Sequence, residues 1–465
     1  MINTPSNVAI AIDFPMIRCL RPGRRVDARQ SSIIGGGMEE QSGWIDGRVV
    51  TMAGTGINLG LGVLYAWSVL KGGIPDSWGW SNADKALPYA VACFVFSVAM
   101  VLAGRLQDKY GPKMVAMVGG GLVGTGCILA GMTAPSLTGF IIGFGVIGGL
   151  GIGFGYAATT PAAIKWFPPS RTGMIAGIVV AGFGLAPVFI APLASWLLGY
   201  YATTTPDGVV EKGVAATVIS FGMGFLVIVS LLAQLLQNPP DGYVAAGAGG
   251  KGAYAAQNDI GWKDVVRTAQ FYVLWLMYFL GAAAGLTFIS VAQDLGKKSL
   301  GELAFVAVVV LAIGNALGRI MAGTLSDRLG RQWTMFAAFV FQAVVVLCLF
   351  LLSRSTGTDG SGTGPAFIAM TLGVVLFLGA NYGANLSLFP SVAKDFWGLK
   401  GFGVNYGLLF TAWGAAGLLM PWINGQIKDV TGSQDLTYFI IMGMMGLAAA
   451  LTFLSRSLAT RAKAH

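Results

Sequence analysis

Twelve stretches of about twenty mostly apolar residues run along this chain, near 49–70, 86–107, 114–133, 136–164, 172–200, 214–236, 269–292, 302–325, 333–353, 365–390, 401–427 and 436–455. That length lets an α-helix cross a hydrocarbon core of roughly 30 Å. Inside lipid, only elements that satisfy their own backbone hydrogen bonds persist, which leaves helices or closed barrels. The sequence therefore predicts an all-α membrane protein with twelve spans. Composition agrees, because 55% of residues are hydrophobic and only 11% charged, a balance foreign to soluble domains.

An even number of spans puts both termini on one side, and the basic residues say which. Cytoplasmic loops collect Lys and Arg. With the N-terminus inside, the cytoplasmic segments carry Arg48, Arg105, Lys109, Lys113, Lys165, Arg171, Lys263, Arg267, Arg328, Arg331, Lys394 and Lys400, among others. The opposite loops carry only Lys71, Lys85, Lys212, Lys297, Lys298, Arg354 and Lys428. Both termini are expected in the cytoplasm of a multi-pass protein of the plasma or inner membrane. The net charge of +9 is then met by lipid headgroups, and no nucleic-acid partner is needed.

Residues 1–45 read as a basic cytoplasmic tail with Arg18, Arg21, Arg24, Arg25 and Arg29, or as a start-site artefact with Met38 as the true first residue. They lack the long apolar core of a secretory signal. The cysteines Cys19, Cys93, Cys127 and Cys348 are scattered, without disulfide or metal spacing. No cofactor or metal is expected.

The chain repeats itself. "AGRLQDKYGPK" (103–113) follows the second span and "AGTLSDRLGRQ" (322–332) the eighth, so Gly104, Asp108 and Gly111 recur as Gly323, Asp327 and Gly330, 219 residues on. Pro161, Lys165, Phe167 and Pro192 recur as Pro390, Lys394, Phe396 and Pro421, now 229 residues on. Two pseudo-symmetric six-helix bundles follow, at 46–240 and 263–459. A small-residue linker, 241–262, joins them, and 460–465 forms a cytoplasmic tail.

Six plus six spans, with this loop in each half, resemble the major facilitator superfamily of transporters. The resemblance implies halves that rock about a midplane site, and a cytoplasmic gate built from Gly104, Arg105, Asp108, Gly323, Asp327, Arg328 and Arg331. Asp108 and Asp327 can accept from helix N-termini or pair with a neighbouring cation when the inner side is shut.

Longer runs narrow the resemblance. "GLGVLYAWSVL" (60–70), "GFGYAATTPAAIKWFPPSRTGMIAGIVVAGFG" (153–184) and "GANYGANLSLFPSVAKDFWGLKGFGVNYGLLFTAWGAAGLLMPWINGQIKD" (379–429) are similar to the oxalate:formate antiporter family, microbial relatives of the monocarboxylate transporters. That resemblance implies transport of small carboxylates, with an arginine of the eighth helix as anion ligand. On this chain it is Arg319.

The depth of Arg319 can be judged without the family. At about 1.5 Å per residue it lies roughly 12 Å from Asp327 and roughly 25 Å from Glu302. An arginine so deep costs about 2.5–3.5 kcal/mol and faces protein or a wet cavity. The residue 219 positions earlier is Met100, so the cation has no counterpart in the first half. Asn315 lies one turn away on the same face. A guanidinium fork holds a carboxylate with two parallel bonds. The animal relatives are expected to have Asp-x3-Arg here; with Asn315, the obvious proton carrier is gone.

Other polar or aromatic residues at mid-depth are Tyr156, its repeat equivalent Asn385, Tyr382, Asn58 and Trp413, with Tyr406 shallower. A phenol can donate to a carboxylate, and aromatic faces can enclose a short acyl chain. Tyr65 and Trp67 are read as interfacial anchors or outer-gate residues.

One buried cation matches one carboxylate, and the oxalate exchangers are expected to add a lysine in the eleventh helix, where this chain has Trp413. The expected function is therefore secondary transport of a monocarboxylate such as lactate, pyruvate, formate or acetate by a monomer, with a coupled proton or counter-anion as further partner. Oxalate:formate-type exchange is the alternative, and an anion channel or transporter-like receptor a remote one. No nucleophile, base or metal constellation points to an enzyme.

Overall fold

The computed structural model describes residues 46–168, 171–240, 243, 260–355, 364–398 and 402–462. The N-terminal tail with its alternative start, most of the linker and the last three residues lie outside the described residues. The twelve spans are α1 (Gly47–Gly73), α2 (Asn82–Gln107), α3 (Pro112–Met132), α4 (Leu137–Ile164), α5 (Met174–Tyr200), α6 (Val214–Ala233), α7 (Ala269–Lys297), α8 (Gly301–Leu329), α9 (Arg331–Arg354), α10 (Pro365–Trp397), α11 (Gly403–Thr431) and α12 (Asp435–Ser455). A short hairpin, β1 (Thr203–Thr204) against β2 (Val210–Glu211), stands between α5 and α6. The face where α1 begins is called the near face, and the opposite one the far face.

Local chemistry sets the helix ends. Asp46 accepts from the backbone N–H groups of Arg48 and Val49 at 2.8 and 2.9 Å, starting α1. Ser81 and Asp84 form a reciprocal capping box at the start of α2. The glycines of the repeated loop have a physical reason: Gly111 and Gly330 take φ of +79° and +86°, where a side chain would be strained. Each ends one span and turns the chain straight into the next.

Helix pairing repeats with an offset of six. In the first half α1 packs on α4, α5 and α6, α2 on α4, and α3 on α4 and α6. In the second, α7 packs on α10, α11 and α12, α8 on α10, and α9 on α10 and α12. Small residues permit the closest of these approaches. Along α8 and α10, a Cβ on Gly318 would strike the backbone of Ala380, and one on Gly383 the backbone of Asn315.

The halves meet through α2 with α11, α5 with α8, and α1 with α7. On the far face, Asp429 of α11 accepts from the Asn82 and Ala83 backbone N–H groups, both at 2.9 Å, and from the Asn82 amide at 2.7 Å. A carboxylate from one half thus caps a helix N-terminus of the other, where the helix dipole favours it. On the near face, Arg331 instead stays within the second half. It donates to Asp327 at 2.6 Å, to Asp395 at 3.0 Å and to the Ser326 hydroxyl. Arg105 and Arg328 are exposed there, and open space surrounds Gly104 and Gly323. The side chain of Asp108 lies outside the description.

The Asp429 contact is a latch whose removal should loosen one face only. Spin labels at Ser77 and Val430, in a background without native cysteines, should report a longer and broader distance distribution in Asp429→Ala. An unchanged distribution would show that the latch holds nothing.

Candidate functional site

The eighth span has two faces. Leu317, Ile320 and Met321 are 46%, 67% and 65% exposed, an apolar ridge suited to lipid, whereas Asn315 and Gly318 are buried. Arg319 projects between α8 and α5. Its Nε donates to the Asn315 amide oxygen at 3.1 Å and its Nη1 to the Val180 carbonyl of α5 at 3.4 Å. Gly184, one turn along α5, leaves its backbone against the guanidinium and the Asn315 amide.

Two features make this more than a packing contact. Among the described residues, no carboxylate lies within ion-pair distance of Arg319. The Asn315 Nδ2 is buried without a hydrogen-bond partner. A cation and an amide donor therefore stand side by side, both short of acceptors, which is what a small anion supplies.

An aromatic layer built from both halves surrounds them. Tyr156 of α4 interacts with Arg319 through its phenol. Its ring meets Phe96 and Phe183 edge-on at 5.4 and 5.3 Å. From the second half, Trp413 stacks on Phe410 at 4.9 Å and meets Phe96 at 5.3 Å. The Trp413 indole donates to the Tyr382 hydroxyl at 2.8 Å, and that hydroxyl pairs with Tyr65 of α1 at 2.6 Å. Tyr406 lies against Phe410, its hydroxyl 3.3 Å from that of Tyr278.

Some residues singled out from the sequence are thus brought together and others are not. Arg319, Asn315 and Tyr156 form one cluster; Tyr382 and Trp413 form a hydrogen-bonded pair beside it, and Tyr406 joins through rings. Asn58 instead bridges helices, donating to the Val179 carbonyl at 2.8 Å and the Thr159 hydroxyl at 3.2 Å. Asn385 donates to the Asn381 carbonyl at 3.1 Å and turns its oxygen toward Gly281 of α7.

Two expectations for the first span need correction. Trp67 is no interfacial anchor: it is fully buried on Phe144 at 4.6 Å and donates to the Lys85 carbonyl. Tyr65 also leaves the interface, 4% exposed and bonded across the halves, which keeps only its outer-gate reading. The span runs to Gly73, beyond the 70 read from hydropathy, and residues Gly62–Ala66 form a tighter 3-10 turn. The same extension draws Lys71, read as a loop residue, into the span. Phe96, Phe183 and Phe410 were not singled out, since phenylalanine in an apolar span carries no signal of its own. The glycines flanking Phe183 in "AGFGLAP" were the available hint.

Comparison with known proteins matches residues 50–421 to the family model of the Major Facilitator Superfamily. The chain is 28% identical over 408 residues to the oxalate:formate antiporter of Oxalobacter formigenes, covering 86% of this chain and 87% of that one. It is 26% identical over 425 residues to apicoplast pyruvate carrier 1 of Toxoplasma gondii, covering 80% and 74%. Among solved structures, a bacterial homologue of the human lysosomal transporter Spinster aligns with a TM-score of 0.68 at 15% identity, over 89% of this chain and 98% of that one. With twelve spans whose pairing repeats at an offset of six, and a family match over most of its length, the chain belongs to the Major Facilitator Superfamily.

Proposed function

We propose that this transporter carries small monocarboxylates, such as lactate, pyruvate, formate or acetate, by alternating access, with Arg319 as the carboxylate ligand. The observation that carries the reading is the guanidinium beside Asn315 with, among the described residues, no carboxylate within ion-pair distance. Relatives named for oxalate and formate and for pyruvate support the substrate class. The near face is taken as cytoplasmic and the membrane as the plasma or inner membrane, because the near-face segments carry most of the Lys and Arg. The latched far face then corresponds to an inward-facing state, and the Asp327 and Arg331 loop to the gate that engages the first half when the protein turns outward.

Three residues divide the work. Arg319 binds the carboxylate, Asn315 orients the guanidinium and offers its free Nδ2 to a keto or hydroxyl oxygen, and Tyr156 donates to the same anion. Phe96, Phe183 and Trp413 enclose the short acyl chain. In the eleventh helix a neutral Trp413 stands where a second cation would sit, its indole donating to Tyr382, which favours a monoanion over oxalate.

Charge also bears on coupling. An empty carrier must move an uncompensated cation, while a loaded one moves a neutral pair, so reorientation is easier when loaded. Exchange or downhill uniport follows from this. Among the described residues, no carboxylate stands within ion-pair distance of Arg319 to carry a proton.

In proteoliposomes, Arg319→Ala should cut monocarboxylate uptake on the order of 100-fold, from the roughly 2–5 kcal/mol lost when a buried charge loses its partner. Uptake surviving at normal expression would sink the assignment. A competition panel that favours oxalate over lactate and formate would move the reading to oxalate:formate-type exchange.

Tyr156→Phe should raise KM about 5- to 10-fold, the equivalent of roughly 1–1.5 kcal/mol for one hydrogen bond, with maximal rate much less affected. Strong stimulation by an inward proton gradient without membrane potential would instead show proton symport.

A further inference from the structure

The few basic residues of the far side are far apart in sequence, yet the fold gathers Lys71, Lys85, Lys212, Lys297 and Lys428 on one cavity of about 440 Å³. The cavity lies between the halves, walled by the end of α1, the start of α2, the β2 strand, and the ends of α7 and α11. Its three carboxylates do not balance the lysines. Asp76 pairs with Lys85 at 3.3 Å, while Asp294 is shared by Lys297 at 3.1 Å and Lys428 at 3.9 Å. Glu211 is the third. Among the described lining residues, five cations against three anions leave two positive charges.

Lys71 is the informative member. It is 7% exposed, and among the described residues neither a hydrogen bond nor an ion pair within 4 Å reaches its ammonium. The charges that face it are Asp294 on one side and Lys428, Lys297 and Lys85 on the other. A lysine near a helix end in a membrane ordinarily snorkels to the headgroups. This one is wrapped by protein at the seam of the halves, so lipid cannot be its counter-charge. Its side chain is buried while it lines the cavity, where an ammonium without a protein partner can be met by an anion.

Its position gives that anion a purpose. Lys71 lies six residues beyond Tyr65 on the same span, roughly 9 Å further toward the far face. Tyr65 is in turn paired with Tyr382 of the second half at 2.6 Å. We propose that the cavity is a second anion site, a loading vestibule in which Lys71 holds a carboxylate of a small carboxylate anion before the far face opens onto Arg319. The inference rests on the transport reading for its purpose, but not for the binding itself.

Radiolabelled oxalate is a suitable probe, since a dianion matches the surplus of two. Equilibrium binding to the full chain in nanodiscs should persist in Arg319→Ala, weaken at least fivefold when Lys71→Gln is added, and recover with Lys71→Arg. No oxalate binding in Arg319→Ala, or binding indifferent to Lys71→Gln, overturns the vestibule. If Lys71→Gln does not fold, protection measures the same contact: oxalate should slow labelling of Lys71 by trinitrobenzenesulfonate in Arg319→Ala, and equal labelling rates would overturn the proposal. Failure of the central assignment looks different, as uptake that survives Arg319→Ala.

Discussion

A single guanidinium in a low-dielectric interior imposes the constraint around which the rest is arranged. Arg319 has five N–H donors and, among the described residues, no carboxylate within ion-pair distance, so its position is held by neutral oxygens. One comes from its own helix, through Asn315, and one from the Val180 carbonyl of the opposite half. Holding it at this depth also requires α8 to stay apolar on its lipid side and α10 to press closely behind, which the small residues Gly318 and Gly383 allow. The cation therefore belongs to both halves at once, and any rocking of one against the other changes its environment.

The two faces of the molecule solve a common problem differently. The far face is held by Asp429 on a helix N-terminus, three hydrogen bonds to one carboxylate at the water boundary. Contacts of this kind exchange readily with water, so each is worth little net and the latch can reverse. On the near face Arg331 is satisfied inside its own half by Asp327 and Asp395. On the proposed reading this loop is a gate, whose charges need partners when open as well as when shut, and these pairs would be the open-state ones.

The fold was legible in the sequence almost entirely, because a bilayer allows few answers and span length is read directly from hydropathy. All twelve spans appear, and the repeated loops lie at matching helix ends with the same positive-φ glycine. The site was legible only in part. Arg319, Asn315 and Tyr156 stood out by polarity at depth, and they cluster. Asn58 and Asn385 stood out by the same rule, but Asn58 bonds across to a neighbouring helix and Asn385 to the backbone of its own. Depth along a helix says how far a residue lies from water, not which way it faces, and in a twelve-helix bundle several faces of each helix are internal. Hydropathy also ended α1 too early, because Lys71 looks like a boundary when its charge is taken to face solvent. Tyr65 was misplaced for the same reason.

That misreading of Lys71 bears on selectivity. The vestibule has a surplus of two positive charges, whereas the central cluster has one cation and neutral oxygens. On the proposed roles, the outer cavity attracts carboxylates with little regard to their number of charges, since surplus charge in a wet cleft acts at a distance. Discrimination then falls to the deeper step, where a dianion entering the Arg319 cluster would leave one charge uncompensated. Gathering anions broadly outside and admitting them narrowly inside requires two sites of different charge, and the hydroxyl pair of Tyr65 and Tyr382, one from each half, is the boundary at which the first gives way to the second.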